Sequence, residues 1–455
     1  MAEVQERALT NDRLWAPQYR LLTAGLVGTI TLAAFEALAV ITVLPLIRND
    51  LGGLGLYGWV VSAFSLGTLF GIVAAGEQAD RIGPARPFVI GLVLFAGGLV
   101  VGGFAPTMPV LVVGRALQGI GAGAIPAVAY VCIGRTYPES LRPRVFAILS
   151  TAWVVPGLIG PALSVVVAQR FGWRAVLLGL LPLVAATGAL AVPAMLHLRP
   201  QAPARAAPRR LLDALRMTVG AALLLAAFSG HEPASVALLA AAVVVGLRPL
   251  LRLIPGGTFR AASPLAAAVL ARGLLTFTFF SVDTFVPLEI TAIRGHGPAL
   301  AGVAITAATI AWTTGAWVQV RLATRWSAHR QVATGFLIVV CGIATVSAGL
   351  LTVAPVALIV CGWGVGGLGM GLGYSPLSIV VLRHARPDAQ GASSAALQLF
   401  DNLGVALGAG IAGALVAVFA TSGSPTSAGL GAAFAVAIAA GCAGVAVAWR
   451  LPGGR

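Results

Sequence analysis

Five ionisable side chains, Glu36, Arg115, Arg272, Asp283 and Asp401, stand inside long apolar stretches of this 455-residue chain. A charge at the centre of a hydrocarbon layer costs about 2.5–3.5 kcal/mol on insertion scales, so each is either functional or part of a helix-orienting ion pair. The chemistry open to a carboxyl in such a place is proton binding. Desolvation favours its neutral form and a nearby cation its charged form, so access and pairing can switch it. Glu36 lies about 15 residues into the first apolar stretch and Arg115 about seven into the fourth. Arg115 requires an acidic or carbonyl partner, and Gln118 at i+3 shares its helical face. Arg272 and Asp283 share one later stretch, and Asp401 lies about ten residues into another. Phe277, Phe279, Phe280 and Phe285 surround Asp283, where they either line an apolar cavity or face lipid. Glu77 and Glu289 fall at the ends of stretches and are expected at the membrane interface.

Covalent chemistry finds little to work with. All five histidines (His197, His231, His296, His329, His384) lie at stretch ends or in loops, there is no HExxH pair, and no nucleophile has a base beside it. A membrane-embedded enzyme is therefore disfavoured. The four cysteines (Cys132, Cys341, Cys361, Cys442) are far apart in apolar sequence, where thiols act as small hydrophobic fillers, so neither a disulfide framework nor a metal site is expected. The glycine-rich run at 362–369 contains a GxGxxG spacing, but with no preceding strand it indicates close helix packing rather than nucleotide binding. No cofactor is implied.

The elements that must position these residues are set by composition. The chain is 58% hydrophobic and 9% charged, against roughly 25% charged residues in soluble domains. Apolar stretches of about 20 residues, each able to cross a hydrocarbon layer of roughly 30 Å, are expected near 21–48, 56–79, 87–106, 108–134, 145–169 and 173–196. A polar, basic segment at 199–216 follows, then a second set near 264–292, 299–322, 331–352, 355–383, 391–420 and 427–449. Two shorter runs, 217–228 and 234–247, flank a loop at 229–233 and predict an extra hairpin, giving 14 spans rather than 12. The polar first 20 residues precede no cleavage-like site, so the first span is expected to remain in place.

All 29 basic residues are arginine. With the N-terminus in the cytoplasm, 23 of them fall on the cytoplasmic side and four outside (Arg48, Arg170, Arg174, Arg294), with Arg115 and Arg272 inside spans. That bias predicts a multi-pass protein of the cell membrane with both termini cytoplasmic. The net charge of +15 is thus topological and implies no nucleic-acid partner. The expected division is a cytoplasmic segment 1–20, a six-helix bundle 21–198, a linker with hairpin 199–263, a second six-helix bundle 264–450 and a tail 451–455.

Several segments resemble motifs of the major facilitator superfamily, in its drug:proton antiporter branch. Gly76, Asp80, Arg81 and Gly83 resemble the signature turn between spans 2 and 3, with Pro84 and Ala85 where the family carries a basic pair. Arg115, Gln118, Gly119 and Gly121 resemble the span 4 motif, and Gly157, Gly160 and Pro161 the span 5 antiporter motif. Glu36 with Leu44 and Pro45 resembles the first-span motif, and Trp173 with Arg174 the start of span 6. In the second half, Gly315, Arg321, Arg325 and Arg330 occupy the place of the Gly76–Arg86 turn, and Gly404, Gly408 and Gly410 mirror the span 5 glycines.

The resemblance implies an all-α fold of two six-helix bundles that rock about a midplane site, here with an added hairpin of the 14-span type. It implies a monomeric secondary transporter exporting apolar or amphipathic, drug-like compounds in exchange for protons, with membrane lipids as surroundings. Glu36, Arg115, Asp401 and Asp283 would couple protons. The turn and span 5 residues would gate, and Gln118, Phe277 and Phe280 would meet substrate. The alternatives are a uniporter or symporter, including one for lipids, and a non-transporting membrane sensor.

Overall fold

The computed structural model describes residues 15–138, 152–198, 208–229, 234–351, 353–385, 390–421 and 424–453, together with Leu141, Arg144, Val145, Ile148 and Leu149. In a bilayer every backbone N–H and C=O must be satisfied internally, which leaves helices as the solution for chains of this pattern. Six form a first set: α1 (Arg20–Leu51), α2 (Tyr57–Ile82), α3 (Ala85–Gly103), α4 (Met108–Thr136), α5 (Val154–Phe171) and α6, which is broken into Trp173–Leu178 and Leu181–Met195. A hairpin follows, of α7 (Pro208–Ser229) and α8, a rod from Ala234–Ala242 through a π-helical turn to Arg248–Leu253. The second set is α9 (Pro264–Asp283, continuing through Val286–Leu288 and a π-helical turn, Glu289–Ile293), α10 (Pro298–Leu322), α11 (Ala328–Ala348), α12 (Ala357–His384), α13 (Gln390–Val418) and α14 (Ser427–Ala448).

Thirteen of these are long and apolar enough to cross a membrane among the described residues, and the described apolar part of α5 (Val155–Phe171) falls just short. The fold is all-helical and the hairpin is present, as expected. Two expectations need correcting. The basic segment before the hairpin is not a loop throughout, because α7 begins at Pro208 and takes Arg209, Arg210 and Arg216 into its first turns. The second hairpin helix runs on to Leu253. The loop expected at 229–233 lies outside the described residues, apart from Ser229 at the end of α7.

Ends are fixed by local chemistry. Gly83 (φ +88°) closes α2 and Gly172 (φ +84°) separates α5 from α6, a left-handed geometry that costs glycine nothing. Ser263 accepts a hydrogen bond from the Ala266 N–H at the start of α9, and Thr426 one from Gly429 at the start of α14, each satisfying a donor the helix leaves open.

The internal repeat shows in the packing. Lipid supplies no hydrophobic force between helices, so small residues that allow close backbone approach dominate the interfaces. Gly119 and Gly123 of α4 lie on the backbone of Phe64 and Thr68 in α2, and Gly367 and Gly371 of α12 lie likewise on Ala308 and Trp312 in α10. Gly98 and Gly114 join α3 to α4, as Gly342, Gly362 and Gly366 join α11 to α12. The 362–369 run is therefore a helix-packing face.

The two sets meet at and beyond mid-depth, toward the end of the bundle remote from the termini, here called the far end. Gly58 of α2 touches the backbone of Ala409 and Gly413 in α13, the Ser62 hydroxyl donates to the Ala406 carbonyl at 2.7 Å, and the Tyr57 and Phe285 rings lie 5.2 Å apart. On the other side Gly157 of α5 abuts Thr309 of α10. The hairpin is closed by Gly220 against Gly246, and Leu225 of α7 packs on Gly410 of α13, so the hairpin lies against both sets.

Candidate functional site

Glu36 and Arg115 form an ion pair across α1 and α4, in which the Arg115 Nη1 donates to Glu36 Oε1. Both side chains are buried, as is Gln118. The same nitrogen reaches Gln118 Oε1 at 2.5 Å, the Arg115 Nε donates to the Val60 carbonyl at 3.1 Å, and the guanidinium sits 4.3 Å from the Phe64 ring centroid. One anion, one amide, one carbonyl and one ring face thus surround the cation, which meets the demand an intramembrane arginine makes. Glu36 Oε2 and Gln118 Nε2 have no hydrogen-bond partner. The pair therefore has spare donor and acceptor capacity.

The second set builds two polar clusters. Near the far end, Asp283 of α9 accepts a hydrogen bond from the Trp363 indole of α12 at 2.8 Å, and that indole stacks on Phe279 with centroids 4.5 Å apart. α9 and α12 correspond in the repeat to α1 and α4, so Asp283 with Trp363 is the counterpart of Glu36 with Arg115. Deeper toward the near end, Arg272 of α9 donates to the Tyr374 carbonyl at 2.8 Å and to Ser378 Oγ at 2.7 Å, and reaches Asp401 of α13 at 3.5 Å. Its guanidinium lies 3.5 Å from the Tyr374 ring centroid, and the Tyr374 hydroxyl donates to Asp401 at 3.1 Å. The ionisable residues singled out in the second set are thus split between two sites.

The remaining expected positions disperse. Phe280 meets Phe279 and the Trp312 ring of α10, whereas the backbone of Phe277 abuts Gly408 of α13; the two phenylalanines do not share a cluster. Gly157 makes the close approach in α5 and Pro161 lies beside Gly302 of α10, while Gly160 faces only the Phe35 ring within its own half. Gly76 has no atoms near its Cβ position, Arg81 is exposed, and the side chain of Asp80 lies outside the described ones. Glu77, Gln78, Arg81 and Leu211 border a crevice of about 280 Å³ between α2 and α7. Glu289, expected at the interface, is instead buried. Its α9 segment is covered by the turn after α11, where Gly349 lies beside the Glu289 carboxyl.

Sequence reasoning missed Trp363, Tyr374, Ser378 and Trp312. Only Trp363 had a usable signal, because aligning the repeat places it in the second turn of α12 as Arg115 is in the second turn of α4. It missed Asp50 as well. This residue accepts hydrogen bonds from the Trp173 indole (3.0 Å) and the Arg174 guanidinium (2.6 Å), and so ties the far end of α1 to the start of α6.

An all-helical bundle with a repeated architecture and buried charge pairs is the plan of a solute transporter. The chain belongs to the Major Facilitator Superfamily, whose family model matches residues 26–409, and it is a multi-span membrane transporter of that family. It is similar to a "Probable multidrug-efflux transporter" of Mycobacterium tuberculosis, with 29% identity over 435 residues, 91% of this chain and 92% of the relative. Over 155 residues it is 28% identical to "Multidrug resistance protein 3" of Bacillus subtilis, which covers 34% of this chain and 30% of that one. Among solved structures it resembles a peptide transporter in complex with alafosfalin, at TM-score 0.70 and 17% identity over 98% of both chains. It also resembles a bacterial homologue of the lysosomal transporter Spinster in an inward-facing conformation, at TM-score 0.65 and 15% identity over 95% of this chain and 96% of that one. These two likenesses bear on the fold alone.

Proposed function

We propose that the protein exports apolar or amphipathic small molecules in exchange for protons by alternating access, with both termini in the cytoplasm and Glu36 as the proton-carrying carboxyl. The observation that carries this reading is the buried pair of Glu36 and Arg115, a titratable contact in an apolar bundle that protonation would weaken. Facing outward, a proton from the more acidic side neutralises Glu36, loosens its link to Arg115 and favours the return inward. Facing inward, loss of that proton makes room for substrate. The contacts between the two halves, concentrated toward the far end, agree with a state closed on the outer side.

The aromatic wall of the second half, where Trp312 lies 5.5 Å from Phe279 and 5.6 Å from Tyr374, supports a preference for flat apolar compounds. The multidrug-efflux names of the relatives support the direction of transport. Each proton entering down a potential of 100 mV supplies roughly 2.3 kcal/mol, enough to concentrate a neutral compound about 50-fold in one-for-one exchange. Inverted membrane vesicles test the reading. A lipophilic dye should accumulate on energisation and leak back when a protonophore is added, and accumulation insensitive to the protonophore would point to a facilitator or a different driving ion.

A further inference from the structure

Glu289 stands apart from the machinery above. It opens the π-helical turn Glu289–Ile293 of α9, its side chain is 0% exposed, and neither carboxyl oxygen has a hydrogen-bond partner. A π turn within a helix frequently marks a functional position. A carboxylate anion buried without a partner is heavily penalised, whereas the neutral acid is penalised far less.

The cation within reach is Arg294, which closes the same turn with its N–H on the Glu289 carbonyl at 3.0 Å. Its guanidinium is engaged elsewhere. It clasps the turn between α11 and α12, donating to the carbonyls of Gly349 and Leu351 at 2.6 Å each and to that of Ala354. Gly349, one of the clasped residues, also lies against Glu289, since a Cβ added there would sit 3.1 Å from Glu289 Oε1. The carboxyl and the clasp are therefore adjacent.

Other charged or titratable groups nearby are few, and apart from Tyr57, whose ring packs on Phe285 one turn before Glu289 and whose buried hydroxyl has no hydrogen-bond partner, they are already engaged. His296 bonds the Arg294 carbonyl at 2.8 Å and Asp283 holds Trp363. Arg48, at the end of the α1 helix that packs on Val286–Leu288, bonds Asn49. The facing stretches of α10, α12 and α14 (298–314, 347–363 and 427–437) contain no acidic, basic or histidine residue, and their only thiol, Cys361, is exposed.

We propose that Glu289 is a proton-operated latch on the far side of the bundle: protonated, it leaves Arg294 clasped on the α11–α12 turn, and ionised, it draws Arg294 to itself and frees that turn. An ion pair, charged on both sides, replaces three bonds from the guanidinium to neutral carbonyls, and it relieves the cost of a buried anion that has no other partner. The inference rests on the transport reading only in naming the side from which the proton arrives.

The test needs no transport. A spin label is placed on Val353→Cys, a position 91% exposed in the clasped turn, in the full-length protein with its four cysteines replaced by serine or alanine, reconstituted in nanodiscs. Label mobility should rise through a single transition as pH increases. In Glu289→Gln the label should stay immobile at every pH, and in Arg294→Gln it should be mobile at every pH. A flat wild-type titration would overturn the latch, as would an unchanged transition in either variant. Because the label reports on the turn alone, these outcomes are independent of whether Glu36 couples transport.

Discussion

The Trp363 indole donates to Asp283 Oδ1 across 2.8 Å at the place in the second half where Arg115 meets Glu36 in the first. The repeat has kept a carboxyl on the leading helix of each half and a donor two turns into the fourth, but has exchanged a cation for a neutral N–H. A carboxyl facing arginine has a charge to gain or lose with its partner. A carboxyl facing indole has only a hydrogen bond. At this position the two halves are thus geometrically alike and electrostatically unequal, which favours Glu36 over Asp283 as the coupling carboxyl in the proposed mechanism.

Trp363→Phe should lower thermal stability in detergent by about 1–2 kcal/mol through the lost hydrogen bond, with the ring stack on Phe279 kept. Asp283→Asn, which retains an acceptor for the indole, should cost less. Thermal unfolding followed by fluorescence size-exclusion chromatography compares them; equal losses in the two variants would mean that the charge of Asp283 matters more than its bond to Trp363.

Gly157→Leu should reduce transport at least tenfold while membrane expression stays near normal. A side chain there runs into Thr309 of the opposite half, a contact that the proposed alternating access would have to form and break. Gly160→Ala should retain most activity, because its Cβ would meet only the Phe35 ring, at an ordinary 3.4 Å. Dye efflux from cells expressing matched amounts of each variant separates the two positions.

The crossing of the hairpin is open to chemical labelling. A cysteine at Ala234, the first residue of α8, in a background lacking the four native cysteines, should react with a membrane-impermeant maleimide in intact cells. Reaction only after permeabilisation would place that turn inside and reduce the count to 12 spans.

The layout was legible because a bilayer asks for apolar runs of about 20 residues, and these are punctuated by arginine and proline. The start of α7 was obscured because Arg209, Arg210, Asp213 and Arg216 lower local hydropathy where an amphipathic helix meets the interface. The need of Arg115 for an acid could be read from its position, and Glu36 is that acid. The partners of Arg272 and Asp283 could not be read from position alone: Tyr374 looks in sequence like any lipid-facing aromatic residue, and Trp363 is singled out only by aligning the repeat. Nor does distance from the end of a span give depth. Glu289 is buried because the turn after α11, some 60 residues on in sequence, folds against it.

The most direct test of the account is proton-driven efflux by purified protein in proteoliposomes, comparing the wild type with Glu36→Gln and Arg115→Ala. With an imposed pH difference, wild-type protein should pump dye against its gradient. Glu36→Gln should still exchange dye down a gradient but gain nothing from the pH difference, and Arg115→Ala should lose most of both, because it leaves a buried carboxyl without its cation. If Glu36→Gln pumps uphill and still responds to pH, Glu36 does not carry the proton and the antiport assignment is contradicted.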